Sequence, residues 1–320
     1  MALSRKLVAT PLILLMIIFS LLFAIGSFGY GVDYYSLHHK VNNVESRIDF
    51  LSVLIISFEY LGFRVGLFLH AFVSLLSLAK LYSLYIKDRL LFFYLPLSIV
   101  SWPMMFNISN TMRQGMLVCL IHYIFYLLFK KNAYISDVKL VLLSLPMVLI
   151  HRSGVIFSAI IILAVLTKRV RLLKPSPFLM MSVIVITFGC IMYSLDYYEG
   201  NPSKIIGINL NYIFLLLSAA IFLGLVFKSF FRKVKTFEIL DYFFLYFVSI
   251  TWVFYMFGMR WEFDRLYMIV FFPILIYTAQ LFTFKVKQTL PLLIITLFIC
   301  SLYLGHIDSV VFKNISEIPD

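Results

Sequence analysis

Charged side chains are scarce in this chain of 320 residues: Asp, Glu, Lys and Arg make up 13% of it, whereas hydrophobic residues make up 62%. Its longest polar stretch, Gly26–Phe50, is too short for a separate soluble domain. The sequence has no Walker loop, dinucleotide fingerprint, His-Glu-x-x-His motif or paired Cys-x-x-Cys motif, which argues against ATP-driven work and zinc chemistry of those kinds. The three cysteines lie in separate apolar runs, so they indicate neither a disulfide framework nor a metal cluster.

The hydrophobic residues are concentrated in eleven apolar runs. Most are long enough, at about 1.5 Å per residue, to cross a hydrocarbon core of roughly 30 Å. The sequence therefore predicts an all-α polytopic membrane protein with about eleven transmembrane helices, in a single integral membrane domain over residues 1–320. The runs, of which the fifth and sixth are short and adjoin, are Leu7–Ile25, Val65–Leu81, Leu90–Phe106, Met112–Phe129, Val138–Ile150, Gly154–Leu166, Pro177–Leu195, Leu210–Phe227, Ile239–Phe257, Leu266–Phe284 and Leu290–Leu304.

Positive charge is distributed unevenly between the two ends of these runs. With Met1 in the cytoplasm and the runs alternating in direction, 18 of the 27 Lys and Arg residues fall on the cytoplasmic side. The positive-inside rule then predicts a cytoplasmic N-terminus and an external C-terminus. The net charge of +12 reflects basic loops that suit an anionic leaflet, and it does not indicate a nucleic-acid partner. The nine Lys and Arg residues that fall on the outer side in this topology are Lys40, Arg47, Arg64, Arg113, Arg152, Lys204, Arg260, Arg265 and Lys313.

The first outer segment, residues 26–63, contains an apolar stretch, Phe50–Phe58, that Glu59 ends. Nine helical residues span only about 14 Å, so this stretch is expected to form a half-helix on the outer face. Irregular backbone beside it is tolerated only where it packs in protein or lines a watery cavity, which predicts an outer cavity. The same segment carries Asp33-Tyr34-Tyr35, a carboxylate beside two tyrosines that suit either a sugar face or an interfacial aromatic belt.

Arg113 and Gln114 stand at the predicted outer start of the fourth run. A guanidinium, an amide and the free N–H groups of a helix start form an anion site when they converge. A snorkelling arginine at headgroup level is the alternative. His70 and His122 lie inside apolar runs, where packing is the simpler interpretation of an intramembrane histidine.

His151-Arg152-Ser153-Gly154 interrupts the two short runs at the outer face. Arg152 is a candidate second phosphate ligand, and His151 is a candidate proton carrier. The alternative is a polar turn between two helices.

An Arg-rich outer loop is predicted at residues 258–265, where the sequence reads Arg260-Trp261-Glu262-Phe263-Asp264-Arg265. Glu262 and Asp264 could bind a divalent metal or position a base, and Arg265 is expected to begin a helix. Local ion pairs in an exposed loop are the alternative.

Taken in order, these residues resemble one family, the EpsG/Wzy-type bacterial polysaccharide polymerases. The resemblance spans roughly Leu7 to Phe284, and the Arg-Gln and His-x-Ser pairs are its most specific part. The family pattern has Ala where this chain has Gly115 and Gly154, and Arg152 is an addition to it. The matching motifs are Gly31-x-Asp33-Tyr34-Tyr35, Glu45, Arg113-Gln114-Gly115-Met116, Lys130-Lys131, His151-x-Ser153-Gly154 and the Arg-rich segment near the end.

The resemblance implies a membrane glycosyltransferase of GT-C-like architecture in the bacterial inner membrane. It would transfer a growing glycan from polyprenyl pyrophosphate to a new lipid-linked repeat, for O-antigen or a related polysaccharide, with a chain-length regulator as a candidate partner. No cofactor and no metal is implied. The implied site has three groups: catalytic candidates Asp33, His151, Glu262 and Asp264; pyrophosphate-binding candidates Arg113, Gln114, Arg152, Arg260 and Arg265; and sugar-binding candidates Tyr34, Tyr35 and Trp261.

Two other functions remain open. A flippase or transporter of lipid-linked oligosaccharide would also need outer and intramembrane arginines, but the runs are nearly free of charge and show no inverted repeat. A glycosyltransferase that uses a polyprenyl-phosphate monosugar would need an acidic motif, for which Glu262-x-Asp264 could hold a metal. Such enzymes usually carry that motif in the first outer loop, where this chain offers only Asp33.

Overall fold

The computed structural model describes residues 2–25, 63–105, 107–108, 112–130, 135–170, 210–230, 237–282 and 285–303. Helices account for 89% of them, and none of these residues lies in a strand, so the all-helical prediction is confirmed for this part of the chain. The predicted half-helix Phe50–Phe58, the segment around it and the run Pro177–Leu195 lie outside the described residues.

Thirteen helices are described. In chain order they are α1 (Ala2–Ala24), α2 (Phe63–Tyr82), α3 (Asp88–Ile99), α4 (Trp102–Met105), α5 (Met112–Phe129), α6 (Asp137–Ser144), α7 (Pro146–Ile150), α8 (Arg152–Val170), α9 (Leu210–Phe230), α10 (Ile239–Met256), α11 (Arg260–Ile269), α12 (Phe271–Leu281) and α13 (Val286–Tyr303).

Within the described ranges, two helices are long and apolar enough to cross a membrane, Val65–Tyr82 in α2 and Ile239–Met256 in α10. A third candidate consists of α11 and α12 together, which meet at an angle of 71°. Shorter apolar stretches, of 10–17 residues, lie within other described helices; they are Pro11–Ala24, Arg89–Ile99, Gln114–Phe129, Phe214–Ser229 and Val286–Leu302. The architecture is compatible with insertion in a membrane, with two to three candidate spans among the described residues.

Several predicted runs are divided into shorter helices, and proline explains two of the breaks. Pro273 cannot donate to the carbonyl of Ile269, and its ring clashes with that carbonyl, so α11 ends there and α12 begins beyond Val270. Pro146 likewise separates α6 from α7 inside the run Val138–Ile150.

The chain divides into two compact units, of which unit 1 comprises Met1–Ala133, Pro146–Gly154 and Val286–Asp320. In it, α2 packs between α1 and α5, while α3 contacts α1, α2 and α13. Its core includes polar contacts between distant segments: Tyr82 and Ser98 share a hydrogen bond of 2.8 Å, and the Trp102 N–H donates to Ser301 Oγ. The short helix α7 packs against α5, which holds the segment before His151 beside that helix.

Unit 2 comprises Tyr134–Leu145 and Val155–Lys285. Its core is aromatic, and α10 is buried along most of its length between α9, α11 and other elements of the unit. Tyr267 stacks on Phe214 at 5.1 Å and meets Phe247 edge-on at 4.9 Å, and its hydroxyl bonds to Ser218. Such rings bury much apolar area and favour offset or edge-on contacts, so they hold α9, α10 and α11 together.

A buried ion pair anchors the first turn of α10. The carboxylate of Asp241, whose side chain is only 1% exposed, accepts hydrogen bonds from Lys228 Nζ at 2.6 and 2.7 Å. The hydroxyl of Tyr277 donates to the same carboxylate at 2.6 Å, and the backbone N–H of Glu238 donates at 2.8 Å. Because every partner is in place, this charge is stabilised where an unpaired one would be costly.

Candidate functional site

The start of α5 is the first part of the candidate site, and it lies where the sequence predicts it. Arg113 is the second residue of the helix, so it stands beside N–H groups that have no partner within the helix. Gln114 follows and is buried, at 1% exposure. Its Nε2 donates to Asn107 Oδ1 at 3.2 Å, and Asn107 Nδ2 donates to the carbonyl of Pro103 at 2.8 Å. Through its Nε2, Gln114 therefore ties α5 to the segment that precedes it.

Gly115 is required by the close approach of three segments. A Cβ atom on this residue would lie 2.2 Å from the carbonyl oxygen of Asn107 and 2.7 Å from Cε1 of His70. Glycine at this position therefore has a packing reason, because backbone and an imidazole fill the space that a methyl group would take. Small residues permit such close helix contacts in membrane proteins.

Below Gly115, polar side chains continue along the contact between α2 and α5. Ser74 Oγ lies 3.2 Å from Cys119 Sγ, and Ser77 Oγ lies 3.2 Å from His122 Nδ1. Both pairs join residues of facing helices, which is how polar side chains associate helices in an apolar environment.

The turn at His151 is the second part of the candidate site. His151 Nδ1 accepts a hydrogen bond from the backbone N–H of Ser153 at 3.1 Å, so the imidazole caps the first turn of α8. A neutral imidazole that accepts through Nδ1 carries its proton on Nε2 and can only donate there. Arg152 is the first residue of α8 and is exposed. In this geometry His151 is better placed to donate a hydrogen bond than to act as a general base.

Gly154 closes this turn against α7. A Cβ atom here would lie 1.8 Å from the carbonyl oxygen of Met147 and 2.4 Å from the carbonyl carbon. The N–H of Gly154 donates to the carbonyl of His151 at 2.7 Å, which tightens the turn further. Glycine at position 154 thus also has a steric reason.

The third part of the candidate site, residues 258–265, differs from the predicted loop. α10 ends at a left-handed Gly258 (φ 76°), where the N–H of Met259 reaches back to the carbonyl of Phe254 at 2.9 Å, as in a Schellman motif. A new helix, α11, begins at Arg260, so the irregular part is only Phe257–Met259. Arg265 consequently lies within α11 and does not begin a helix.

The helical conformation of α11 separates Glu262 and Asp264, which the sequence places two residues apart. Residues two apart on a helix do not face each other, so Glu262 and Asp264 point in different directions. Asp264 is buried at 8% exposure, whereas Glu262 is half-buried. This spacing does not form a two-carboxylate metal site, and the described residues contain no group of three side chains able to hold a metal ion.

Unit 1 brings together two of the three parts. It contains the start of α5, with Arg113 and Gln114, and the turn with His151 and Arg152, joined through the contact of α7 with α5. Glu262, Asp264 and Arg265 belong to α11 in unit 2. Other predicted site residues lie outside the described residues or are described in their backbone only: Asp33, Tyr34 and Tyr35 in the first case, and Arg113, Arg260 and Trp261 in the second.

Sequence reasoning missed the part that His70 and Asn107 play beside Gln114. In the sequence, His70 is typical of a packing residue and Asn107 belongs to no recognised motif. The available signal was the interruption of an apolar run by Asn107-Ile-Ser-Asn110 just before the Arg-Gln pair. The contact with His70 was not predictable from this signal, because α2 is distant from residues 107–110 in the sequence.

Comparison with protein-family models, with curated proteins and with solved structures found no match for this chain.

Proposed function

We propose that this protein polymerises lipid-linked oligosaccharide repeat units of O-antigen or a related surface polysaccharide. It transfers the growing glycan from polyprenyl pyrophosphate to a new lipid-linked repeat at the outer face of the bacterial inner membrane. The proposal includes about eleven spans in a GT-C-like arrangement, a cytoplasmic N-terminus and an external C-terminus. It rests on the motif resemblance and on one structural observation.

That observation is that unit 1 contains two helix starts, each with an arginine in its first turn. Arg113 occupies the first turn of α5 and Arg152 the first turn of α8, and α7, which directly precedes α8, packs on α5. Each helix start presents unpaired N–H groups and a partial positive charge, and each adds a guanidinium. A pyrophosphate needs this combination, because guanidinium forks bind its oxygens in pairs and helix N-termini attract anions.

The chemistry follows from charge. When the sugar–phosphate bond breaks, negative charge accumulates on the departing pyrophosphate, and prepositioned donors lower the barrier most when they face that charge. His151, whose Nδ1 accepts from the N–H of Ser153, carries its ring proton on Nε2 and so adds a neutral donor group next to Arg152 in the chain. Asp33, Glu262 and Asp264 remain the catalytic candidates that the resemblance implies, and Tyr34, Tyr35 and Trp261 remain its sugar-binding candidates.

The test is polysaccharide ladder formation in a deletion strain that carries single variants, with the membrane level of each variant measured. Arg113→Ala and Arg152→Ala should lose the ladder, because removing one charge-assisted contact to a transition state costs roughly 10²–10³ in rate. Arg113→Lys should also lose activity, since lysine offers a point charge in place of a bidentate fork. Arg47→Ala, on the first outer segment, is the control and should keep the ladder.

The pattern on the gel distinguishes the competing functions. Loss of polymerisation leaves a single repeat on its acceptor, whereas loss of a flippase removes even the single repeat. A monosugar transferase would leave the ladder intact and change the composition of its units. Full-length chains from Arg113→Ala and Arg152→Ala at normal membrane level would place the pyrophosphate site elsewhere.

A further inference from the structure

Two buried polar atoms beside Gly115 lack hydrogen-bond partners among the described residues. They are Nε2 of His70 and Oε1 of Gln114. Leaving a buried donor or acceptor unsatisfied costs roughly 1–3 kcal/mol, so such atoms in a native interior usually face a water, an ion or a ligand. Two of them in one place indicate a small polar site.

The orientation of the Gln114 amide follows from the network around Asn107. Asn107 Nδ2 donates to the carbonyl of Pro103, so Asn107 Oδ1 is the acceptor that faces Gln114. Gln114 must then present its NH₂ group to Asn107, which leaves Oε1 as a free acceptor. Gln114 is 1% exposed, so bulk water does not satisfy this oxygen.

His70 reaches the same place from α2. Its Cε1 and Nε2 atoms occupy the space 2.7 and 2.9 Å from where a Cβ of Gly115 would be, and Gly115 adjoins Gln114 in the chain. The backbone of Asn107 and Ile108 also interacts with the ring. Nε2 of His70 and Oε1 of Gln114 therefore flank one glycine, and both can accept a hydrogen bond when the ring proton is on Nδ1.

The position of this pair adjoins the proposed anion site. Gln114 directly follows Arg113 in the first turn of α5, and His70 lies about 10 Å along α2 from its predicted outer end. Further down the same helix contact, Ser74 bonds to Cys119 and Ser77 bonds to Nδ1 of His122. His70 and Gln114 lie nearer the end where the substrate is expected.

We propose that His70 and Gln114 form the acceptor subsite of the polymerase, in which one sugar hydroxyl donates to His70 Nε2 and a neighbouring hydroxyl donates to Gln114 Oε1. This inference rests on the proposed function. The hydroxyl oxygen at His70 forms a bond to the anomeric carbon of the donor glycan while its proton passes to Nε2. The bond from that carbon to the pyrophosphate oxygen breaks, and its electron pair leaves with the pyrophosphate. His70 then releases the proton to water.

The test uses the purified full-length protein in liposomes, with a lipid-pyrophosphate-linked repeat as donor and a second lipid-linked repeat as acceptor. His70→Gln keeps a polar side chain of similar length but cannot take up the proton, so kcat should fall about 10²–10⁴-fold. Gln114→Met keeps the volume and removes Oε1, so the KM for the acceptor should rise with a smaller change in kcat. His122→Gln is the matched control, a second buried histidine of the same helix contact, and should stay within about threefold of the parent protein in both constants.

The outcomes separate this inference from the proposed function. If the parent protein forms no polymer, the function itself is wrong. If it does and His70→Gln keeps kcat within about threefold, the two atoms face only an ordered water and the subsite is refuted. A rise in acceptor KM at unchanged kcat for His70→Gln refutes the base role. Should His70→Gln fail to reach the membrane, Gln114→Met decides, and an unchanged acceptor KM overturns the proposal.

Discussion

Replacing Gly154 with alanine adds a single methyl group at the tightest point of the turn that positions His151. The new Cβ would stand 1.8 Å from the carbonyl oxygen of Met147, about 1.6 Å short of the 3.4 Å at which ordinary contact begins. The atoms it meets belong to the backbone of α7, so no rotamer change can remove the clash. Either α7 or the start of α8 must move.

Two opposing effects set the magnitude. Alanine is better than glycine in a helix by roughly 1 kcal/mol, and overpacking a well-filled site costs about 1–3 kcal/mol, with larger values when backbone must shift. At Gly154 the clash should dominate and destabilise the protein. Gly224→Ala is the matched control, because the nearest atom there, at 2.9 Å, is the terminal Cδ1 of Leu281. Since that side chain can adjust, the two effects should nearly cancel.

The assay is thermal unfolding of the purified protein in detergent, followed by ladder formation in cells. Gly154→Ala should unfold several degrees below Gly224→Ala, since 1 kcal/mol corresponds to about 2–4 °C for proteins of 150–250 residues. It should also reduce the ladder, because His151 and Arg152 move with the turn. If both variants unfold together with the parent protein, the close contact of α7 with α8 does not exist in solution.

Three further predictions follow. Lys228→Met leaves the buried carboxylate of Asp241 without its cation and should destabilise the protein by about 3–5 kcal/mol. The double variant Lys228→Met/Asp241→Leu should recover most of that stability, and equal melting temperatures of the single and the double variant would contradict a buried ion pair. Polymerisation by purified protein should survive EDTA, because several arginines can neutralise a pyrophosphate; loss that Mg²⁺ restores would show that the reaction uses a divalent cation and would contradict neutralisation by arginines alone. Reporter fusions should be external after Asp196 and Gly305, and cytoplasmic after Lys131, Lys174 and Lys235. A cytoplasmic C-terminus would overturn the topology.

The sequence determined where several long helices lie, because an uninterrupted apolar run is a local property. The predicted run Met112–Phe129 has the same bounds as α5, and Ile239–Phe257 differs from α10 by one residue. Both helices are long, and each begins after a clear change to polar sequence. The placement of Arg113 in the first turn of α5 followed directly from that boundary.

Other boundaries depended on interactions that a hydropathy pattern does not register. The charges at 260–265 favour a loop by composition, yet the Schellman turn at Gly258 lets a new helix begin at once, and Pro273 then ends it. A loop would have let Glu262 and Asp264 converge, whereas the helix turns them apart. The chemistry available to this segment therefore changed with its backbone conformation.

Only the tertiary structure decided what surrounds Gln114. Its neighbours His70 and Asn107 come from a separate helix and from the end of another apolar run, and neither forms a motif with it in the sequence. Hydropathy and spacing report contacts within a few residues, but an unsatisfied acceptor exists only once α2 and α5 have packed and excluded water. For the same reason the sequence does not explain why positions 115 and 154 are glycine, whereas the structure shows a ring and a carbonyl in the space that a methyl group would take.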